Sequence, residues 1–177
     1  MDLMQGLLTR RSVRKYQADK KIPHHELKEI IKAAQYSPSA HNSQPWEFLV
    51  VEDKEDLAKF RTLQRASLFA EGASAVILVC VDETKSFSRE KEGWSYVDID
   101  GSSATSNVLH AAHALGIGAC WCGCSPMTKP IVDVKEYFKL PEHIRPFSIV
   151  VLGYPEGEVR QPETRYDETK IHFGKWE

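Results

Sequence analysis

Apolar residues recur every three or four positions in two stretches of the amino-terminal third, and this spacing predicts amphipathic helices. The first helix is expected after Pro23 and ends near Tyr36, ahead of Pro38. The second follows Asp53, whose side chain suits a helix N-cap. Both helices should pack one face on a core. The inward positions are Leu27, Ile30, Ile31 and Ala34 in the first helix and Leu57, Phe60 and Leu63 in the second.

Short apolar runs and further helical segments follow in the rest of the chain. Strands are expected at residues 47–51, 75–81, 118–122 and 147–152. The second of these runs is continuously apolar, as in a strand buried on both faces. Further helices are expected at residues 99–115, ending at Gly116, and at residues 130–138. Because strands and helices mix without a strict alternating repeat, the pattern predicts an α+β fold, a sheet flanked by helices.

Two segments lack periodicity. Residues 82–96 are polar, yet they include Phe87, Trp94 and Tyr96, and this composition predicts a mobile flap. Residues 154–177 are rich in Pro, Glu and Arg and cannot form a core alone. Because this tail also carries aromatic residues that need a packing partner, we expect it to extend across a partner subunit.

The composition favours a single domain spanning residues 1–177. Of the 177 residues 42% are hydrophobic, which can supply a sizeable core. The formal net charge of -2, from 23 basic and 25 acidic side chains, gives no global field that would attract nucleic acid or an anionic membrane. The longest apolar run is far shorter than the roughly 20 residues of a membrane-spanning helix. The amino terminus has neither the basic start nor the apolar stretch of a signal peptide, so a soluble cytoplasmic protein is expected.

The four cysteines raise the question of disulfides or a metal. Cys120, Cys122 and Cys124 alternate, which on a strand puts their side chains on one face, whereas Cys80 stands in an apolar run. No two neighbours have the C-x2-C spacing of zinc or iron-sulfur ligands, so reduced thiols and no metal are expected. The chain also lacks the G-x-G-x-x-G and Walker A motifs, which argues against a Rossmann domain and against the commonest nucleotide-hydrolysing folds.

A basic cluster near the amino terminus is the first candidate for chemistry. Residues 10–15 hold four cations, and arginine can bind phosphate oxygens in a bidentate geometry. Arg10, Arg11 and Arg14 are therefore candidate phosphate ligands. The alternative is a solvated helix end, because short basic runs are common on protein surfaces.

A proline-bracketed loop at residues 37–46, with the sequence SPSAHNSQPW, is the second candidate. Ordinary turn chemistry is one explanation. The amides of Asn42 and Gln44 beside Trp46 favour another, because an amide offers a donor and an acceptor together and so suits the edge of a heterocycle. We interpret His41 as structural rather than as a catalytic acid or base. No triad or carboxylate pair suggests a side-chain nucleophile.

These segments resemble the nitroreductase family. Residues 10–14 and 37–46 are similar to its two amino-terminal signatures. Residues 100–118 resemble its long central helix, and residues 119–123 resemble the strand end that follows. Residues 165–172 resemble its closing segment. The resemblance covers nearly the whole chain, and it implies an intertwined homodimer with a mainly antiparallel central sheet.

The resemblance also implies flavin mononucleotide (FMN), bound noncovalently at the dimer interface. The motif at Arg10, Arg11, Ser12 and Arg14 would contact it, with Arg10 at the phosphate and Ser12 and Arg14 at the ribityl chain and pyrimidine edge. Arg165 would close the phosphate site. Some relatives have a second cation two positions before Arg165, where this chain has Glu163, and Arg160 is the candidate substitute.

Two further segments would meet the same flavin. The loop of the other subunit would reach it, with Asn42 and Gln44 making the polar contacts. The strand end at Trp121, Cys122 and Gly123 would pass the isoalloxazine with a backbone N–H near its reactive nitrogen. The loop residues assigned to cofactor binding are Pro38, Ser39, Ala40, Asn42 and Gln44.

The implied activity is a ping-pong oxidoreduction in which NAD(P)H reduces the flavin and a small nitroaromatic or quinone then takes the electrons. Phe87, Trp94, Tyr96 and His41 are candidates for substrate contact. One alternative is a specialised branch such as a reductive dehalogenase, whose flap would clamp one substrate through residues such as Glu90, Lys91 and Tyr96. Another is a flavin-binding or sensing protein without efficient NAD(P)H turnover.

Overall fold

The computed structural model describes residues 2–89 and 92–176. Short 3-10 helices lie at Ala40–Asn42, Arg65–Gly72 and Glu168–Lys170. The helices and strands, in chain order, are α1 (Leu3–Thr9), α2 (His24–Gln35), β1 (Trp46–Val51), α3 (Lys54–Leu63), β2 (Ala75–Asp82), β3 (Ser88–Arg89), β4 (Trp94–Ser95), α4 (Val97–Ala114), β5 (Gly118–Gly123), α5 (Thr128–Tyr137) and β6 (Ile144–Gly153).

The described strands form a central antiparallel sheet with the order β1-β2-β6-β5. Every residue of β2 is buried, as its continuous apolar run predicts for a strand covered on both faces. The outer edge of β5 is met by the segment that follows α1, through a bridge between Ser12 and Ala119. This contact brings the basic cluster to the sheet.

Helices cover both faces of the sheet. On one face α3 and α5 bury Phe60 and Val134 against alternate strand residues that include Cys120. On the other face α2 and α4 bury Ile30 and Val108 against the remaining strand residues. Each face contributes apolar burial worth roughly 1.5–3 kcal/mol for every large aliphatic or aromatic side chain removed from water. The α+β architecture predicted from the pattern is confirmed.

The helix ends follow local chemistry. The Asp53 carboxylate accepts the N–H groups of Glu55 and Asp56, so the predicted N-cap of α3 is confirmed. Gly116 has φ +74°, the left-handed conformation that commonly follows a helix end, and α4 stops just before it, as predicted. The helix α4 starts at Val97, two residues earlier than expected, with Tyr96 as its N-cap.

The two aperiodic segments differ from each other in structure. The strands β3 and β4 pair with each other, and the loss of periodicity in the sequence did not reveal them, because each has only two residues. After Pro155 the tail is irregular apart from the turn at residues 168–170, and Phe173 is 92% exposed. None of the helices in the described part of the chain is long and apolar enough to cross a membrane.

Candidate functional site

The basic cluster is fixed along β5 by backbone and side-chain contacts. The Val13 N–H donates to the Ala119 carbonyl at 3.0 Å. The buried Tyr16 ring anchors the far end of the segment, and its hydroxyl donates to the Val13 carbonyl at 2.6 Å. Arg14 lies between these anchors, next to the edge of the sheet, whereas Arg10 is the C-cap residue of α1 and so lies at a helix end.

Arg10, Arg11 and Arg165 are brought close together from the two ends of the sequence. Burial and the neighbouring Arg165 and Arg11 guanidinium groups lower the pKa of Arg10. A cleft of about 300 Å³ is lined by Arg11 and Arg165, and a second of about 440 Å³ by Arg10 and Arg165. Such a group of like charges is suited to hold an anion.

The predicted substitute cation is paired with an acidic residue. Arg160 donates to the Glu163 carboxylate at 2.7 Å, and both side chains are exposed. Both also line the cleft of Arg11 and Arg165. Part of the positive charge of Arg160 is therefore already offset by Glu163.

Arg14 and Ser12 lie further along the same segment. The Arg14 guanidinium carbon is 5.9 Å from the centroid of the Phe69 ring. The hydrogen bond from Cys122, together with Arg14 and the Ser12 hydroxyl, holds the pKa of Cys120 below its usual range, although burial opposes this. Arg14, Ser12 and Cys120 thus share one electrostatic environment.

At the strand end after Cys120, successive side chains point to opposite faces of the sheet. The Trp121 ring packs against Phe147, with 5.7 Å between ring centroids, on the face opposite Cys120 and Cys122. The Cys122 sulfur lies 3.1 Å from the Ala66 carbonyl oxygen, and its pKa is raised by the hydrogen bond to Cys120 and by burial. All four cysteines lie within the described residues and are buried free thiols.

Gln64 and Phe69 also belong to this region, although the sequence did not single them out. The Gln64 amide donates to the Gly123 carbonyl, and Phe69 lies beneath Arg14. The available signal was weak, because Gln64 is a single amide directly after the apolar Leu63. At Gly123 an added Cβ would lie 3.3 Å from the Ser125 carbonyl oxygen, so the chain is closely packed there.

The amide-rich loop has an unusual backbone. His41, Asn42 and Gln44 have φ values of 53°, 55° and 46°. Each such conformation costs about 1–3 kcal/mol for a residue other than glycine, and strain of this kind clusters at functional sites. The Gln44 N–H donates to the Ser39 hydroxyl at 3.0 Å, and the Gln44 amide donates to the Asn42 side-chain oxygen at 2.9 Å. Asn42 and Gln44 line a cleft of about 650 Å³.

Four rings predicted as substrate contacts form one cluster beside this loop. The Phe87 ring centroid lies 3.9 Å from His41, 5.5 Å from Trp94 and 5.9 Å from Tyr96. The Trp94 indole N–H donates to Glu92 at 2.8 Å, which fixes its ring. Glu90 and Lys91, named above for a substrate clamp, lie outside the described residues.

The arginines and the loop lie at opposite corners of the sheet in one chain. The arginine segment contacts Ala119 at the start of β5, which is across the sheet from Ala75 at the start of β2. The loop leads into Trp46, which pairs with Val81 near the end of β2. Strand geometry puts these corners about 20 Å apart along the strands and about 14 Å apart across them. One chain therefore does not bring the two predicted halves of the site together.

Within residues 2–89 and 92–176, no group of three or more His, Cys, Asp or Glu side chains is placed to bind a metal ion. The side chains described above are cations, amides, thiols and aromatic rings.

Comparison with known sequences gives a consistent result. The family model described as Nitroreductase family matches residues 7–86 and 65–154. A provisionally named NADH dehydrogenase/NAD(P)H nitroreductase of Methanothermobacter thermautotrophicus is 39% identical over 99% of this chain and 88% of its own length. A protein with the same provisional name from Archaeoglobus fulgidus is 38% identical over 99% of both chains. The FMN reductase [NAD(P)H] of Bacillus subtilis is 27% identical over 87% of this chain and 66% of its own.

Solved structures extend the similarity to three dimensions. A provisionally named NADH dehydrogenase/NAD(P)H nitroreductase from Bacteroides thetaiotaomicron has a TM-score of 0.89 at 32% identity, covering 98% of this chain and 97% of the other. An FMN-dependent nitroreductase from Clostridium difficile has a TM-score of 0.86 at 28% identity, covering 98% and 100%.

Proposed function

The chain belongs to the nitroreductase family, and on this basis we propose that it carries hydride equivalents from NAD(P)H through FMN to a small electron-poor acceptor of the nitroaromatic or quinone type. The family and the FMN-dependent proteins among its relatives identify an NAD(P)H-dependent flavin oxidoreductase with FMN as cofactor. The family resemblance and the antiparallel α+β fold expected from the sequence are confirmed.

The observation that carries the proposal is the group of arginines from the two ends of the chain. Guanidinium groups held side by side repel one another, and a phosphate between them offsets that repulsion while accepting several hydrogen bonds. In the proposed site Arg10 and Arg165 bind the FMN phosphate, with Arg11 beside them. Ser12 and Arg14 lie further along the segment and serve the ribityl chain and the pyrimidine edge.

When bound, FMN supplies the redox chemistry, accepting hydride from the nicotinamide in one half-reaction and reducing the acceptor in the next. The Arg14 cation stabilises negative charge at the pyrimidine edge. The strand end at Trp121, Cys122 and Gly123 would hold the flavin ring through a backbone N–H, and Gly123 would add no side chain there. The cluster of His41, Phe87, Trp94 and Tyr96 offers flat apolar surface to an aromatic acceptor.

The separation of the two halves of the site supports a homodimer. Because the arginines and the loop lie at opposite corners of the sheet, Pro38–Gln44 of one copy meets the flavin held by the arginines of the other. The outer edge of β1 has no strand neighbour among the described residues, and this leaves a surface for a second chain. In this arrangement residues 154–177 extend from the domain across the partner.

The test is anaerobic flavin reduction. The purified protein should be yellow, and NADH or NADPH should bleach it promptly without oxygen, after which a quinone or nitroaromatic should restore the colour. Free FMN at the same concentration is the control for direct reduction.

The other outcomes separate the alternatives. A bound flavin that stays oxidised with both nicotinamides would identify a binding or sensing protein. Halide release from halogenated aromatics, with no turnover of nitroaromatics or quinones, would identify a dehalogenase-like branch. A protein that retains no FMN would contradict the proposal itself.

A further inference from the structure

A buried carboxyl group lies directly behind the amide-rich loop. Asp100 belongs to the first turn of α4 and is 1% exposed. Its Oδ1 accepts the backbone N–H of Ala40 at 2.9 Å, at the start of the loop's helical turn. Its Oδ2 is buried without a hydrogen-bond partner among the described residues, and so is the Ser43 hydroxyl.

Burial raises the pKa of Asp100, and the Ala40 N–H and the Ser43 hydroxyl act in the opposite direction. Both of these groups belong to the loop, and the carboxyl lies on a helix that is packed into the core. The hydrogen bond from Ala40 therefore joins the start of the loop's turn to the rigid part of the fold.

A buried carboxyl group with a free oxygen is unfavourable for stability, and an apolar residue would fill the same place at lower cost. What the carboxyl supplies here, and an apolar residue would not, is an acceptor for the Ala40 N–H. The residues that this contact holds include His41, Asn42 and Gln44, which all have positive φ. Without an anchor, residues of this kind relax towards ordinary conformations, and the Asn42 and Gln44 amides change direction.

We propose that Asp100 is a positioning residue of the flavin site: its buried carboxyl holds the Ala40 N–H, and thereby keeps the amides of Asn42 and Gln44 directed at the cofactor. The inference rests on the proposed function, because it requires the loop to contact FMN. Asp100 itself acts only through the loop.

The experiment compares flavin affinity in two variants of Asp100. Asp100→Ala should raise the Kd for FMN about tenfold to a hundredfold, as expected when a hydrogen bond to a charged group is lost. Asp100→Asn keeps an oxygen for the Ala40 N–H and places an amide beside Ser43, so it should bind FMN within a few-fold of the parent protein. The Kd is measured by quenching of FMN fluorescence.

A variant at Ala40 removes the donor of the same hydrogen bond. Ser39 has φ -137° and ψ 156°, which is compatible with a following proline, and Ala40 starts a helical turn, where proline is tolerated. Ala40→Pro therefore deletes the donor, and the proline Cδ, which takes the place of the N–H, displaces the Asp100 carboxyl from the loop. It should weaken FMN binding as much as Asp100→Ala, and the double variant should show no further loss.

Thr105→Val is the matched control, because Thr105 is also a buried polar residue of α4 but bonds to Gly101 and Ser148, away from the loop. It should leave the Kd unchanged.

Two results overturn the positioning role while the parent protein still binds and reduces FMN. One is an unchanged Kd in Asp100→Ala, and the other is a loss of FMN affinity in Asp100→Asn as large as in Asp100→Ala. If Asp100→Ala does not fold, Ala40→Pro decides alone: an unchanged Kd there overturns the role. A parent protein that does not bind FMN contradicts the proposed function instead.

Discussion

Cys120 is a buried thiol at the point where the arginine segment meets β5. Its neighbours Cys122, Arg14 and Ser12 all stabilise the thiolate relative to the thiol. Burial normally has the opposite effect, and it does so at Cys124 on the same face, where it raises the pKa to about 12. The pKa values of Cys120 and Cys124 thus shift in opposite directions, because Cys122, Arg14 and Ser12 stabilise the Cys120 thiolate whereas burial dominates at Cys124.

This difference predicts a pH-dependent signal. In the flavin-free protein, thiolate absorbance near 240 nm should appear at a lower pH than for an ordinary cysteine, whose pKa is ~8.5. The Cys120→Ser variant should lose this early step. Cys124→Ser should keep it, because the pKa of Cys124 is raised.

The same shift has a consequence for stability. Because the folded state lowers the pKa of Cys120, ionisation stabilises the fold fully above the unfolded pKa and this contribution is lost as the pH falls through the folded value. The parent protein should therefore exceed Cys120→Ser in thermal stability more at alkaline than at acidic pH. Identical pH profiles for the two proteins would contradict the lowered pKa of Cys120.

At the scale of elements, the contact between α4 and β6 is unusually close. A Cβ added at Gly101 would lie 2.6 Å from the nearest carbon of the Phe147 ring, which is itself buried against Trp121. This approach lets the helix bring Asp100 beneath the loop, so the packing of α4 and the geometry of the site depend on each other.

We predict that Gly101→Ala destabilises the protein by about 1–3 kcal/mol, the usual cost of overpacking a core, despite the better helix propensity of alanine. Gly72→Ala is the control, because nothing lies within 4 Å of the Cβ added there. It should change the free energy of unfolding by less than about 0.5 kcal/mol. Equal denaturation midpoints for the two variants would show that Phe147 moves aside without cost.

Most elements were predictable from the sequence because periodicity and caps are local properties. The helices α2, α3, α4 and α5 and the main strands lie within three residues of their expected positions, and the predicted cap at Asp53 and helix end at Gly116 are confirmed. The strands β3 and β4 were not predictable, since two-residue strands carry no periodic signal.

The sequence proposed a set of residues for the candidate site but not their arrangement. The signatures at residues 10–14 and 37–46 predicted its cations and amides. Their placement at opposite corners of the sheet depends on strand order, which no local pattern encodes. The contacts of Asp100 with Ala40 and of Gln64 with Gly123 were missed for the same reason, because each joins residues that are far apart in sequence.

At the scale of the whole molecule, large apolar side chains are exposed at both ends of the chain. Leu3 and Leu8 of α1 are 76% and 69% exposed, and Trp176 in the tail is 83% exposed. Exposed apolar residues concentrated in two such segments are typical of a surface that another chain covers. This supports the proposed homodimer independently of the separation between the arginines and the loop.

A shared site predicts complementation between two defective variants. A chain with Arg14→Ala and Arg165→Ala should lose flavin, because each charge-assisted contact contributes about 1.5–3 kcal/mol. A chain with Asn42→Ala and Gln44→Ala should also lose it. In a mixed dimer one site combines the intact arginines of one chain with the intact loop of the other, and the second site carries both defects.

After unfolding and refolding an equal mixture, about half of the dimers should be mixed, and flavin content should recover to roughly a quarter of the parent value. A site built within one chain predicts no recovery, so a mixture that binds no more FMN than either variant alone, while remaining folded and dimeric, would exclude the shared arrangement.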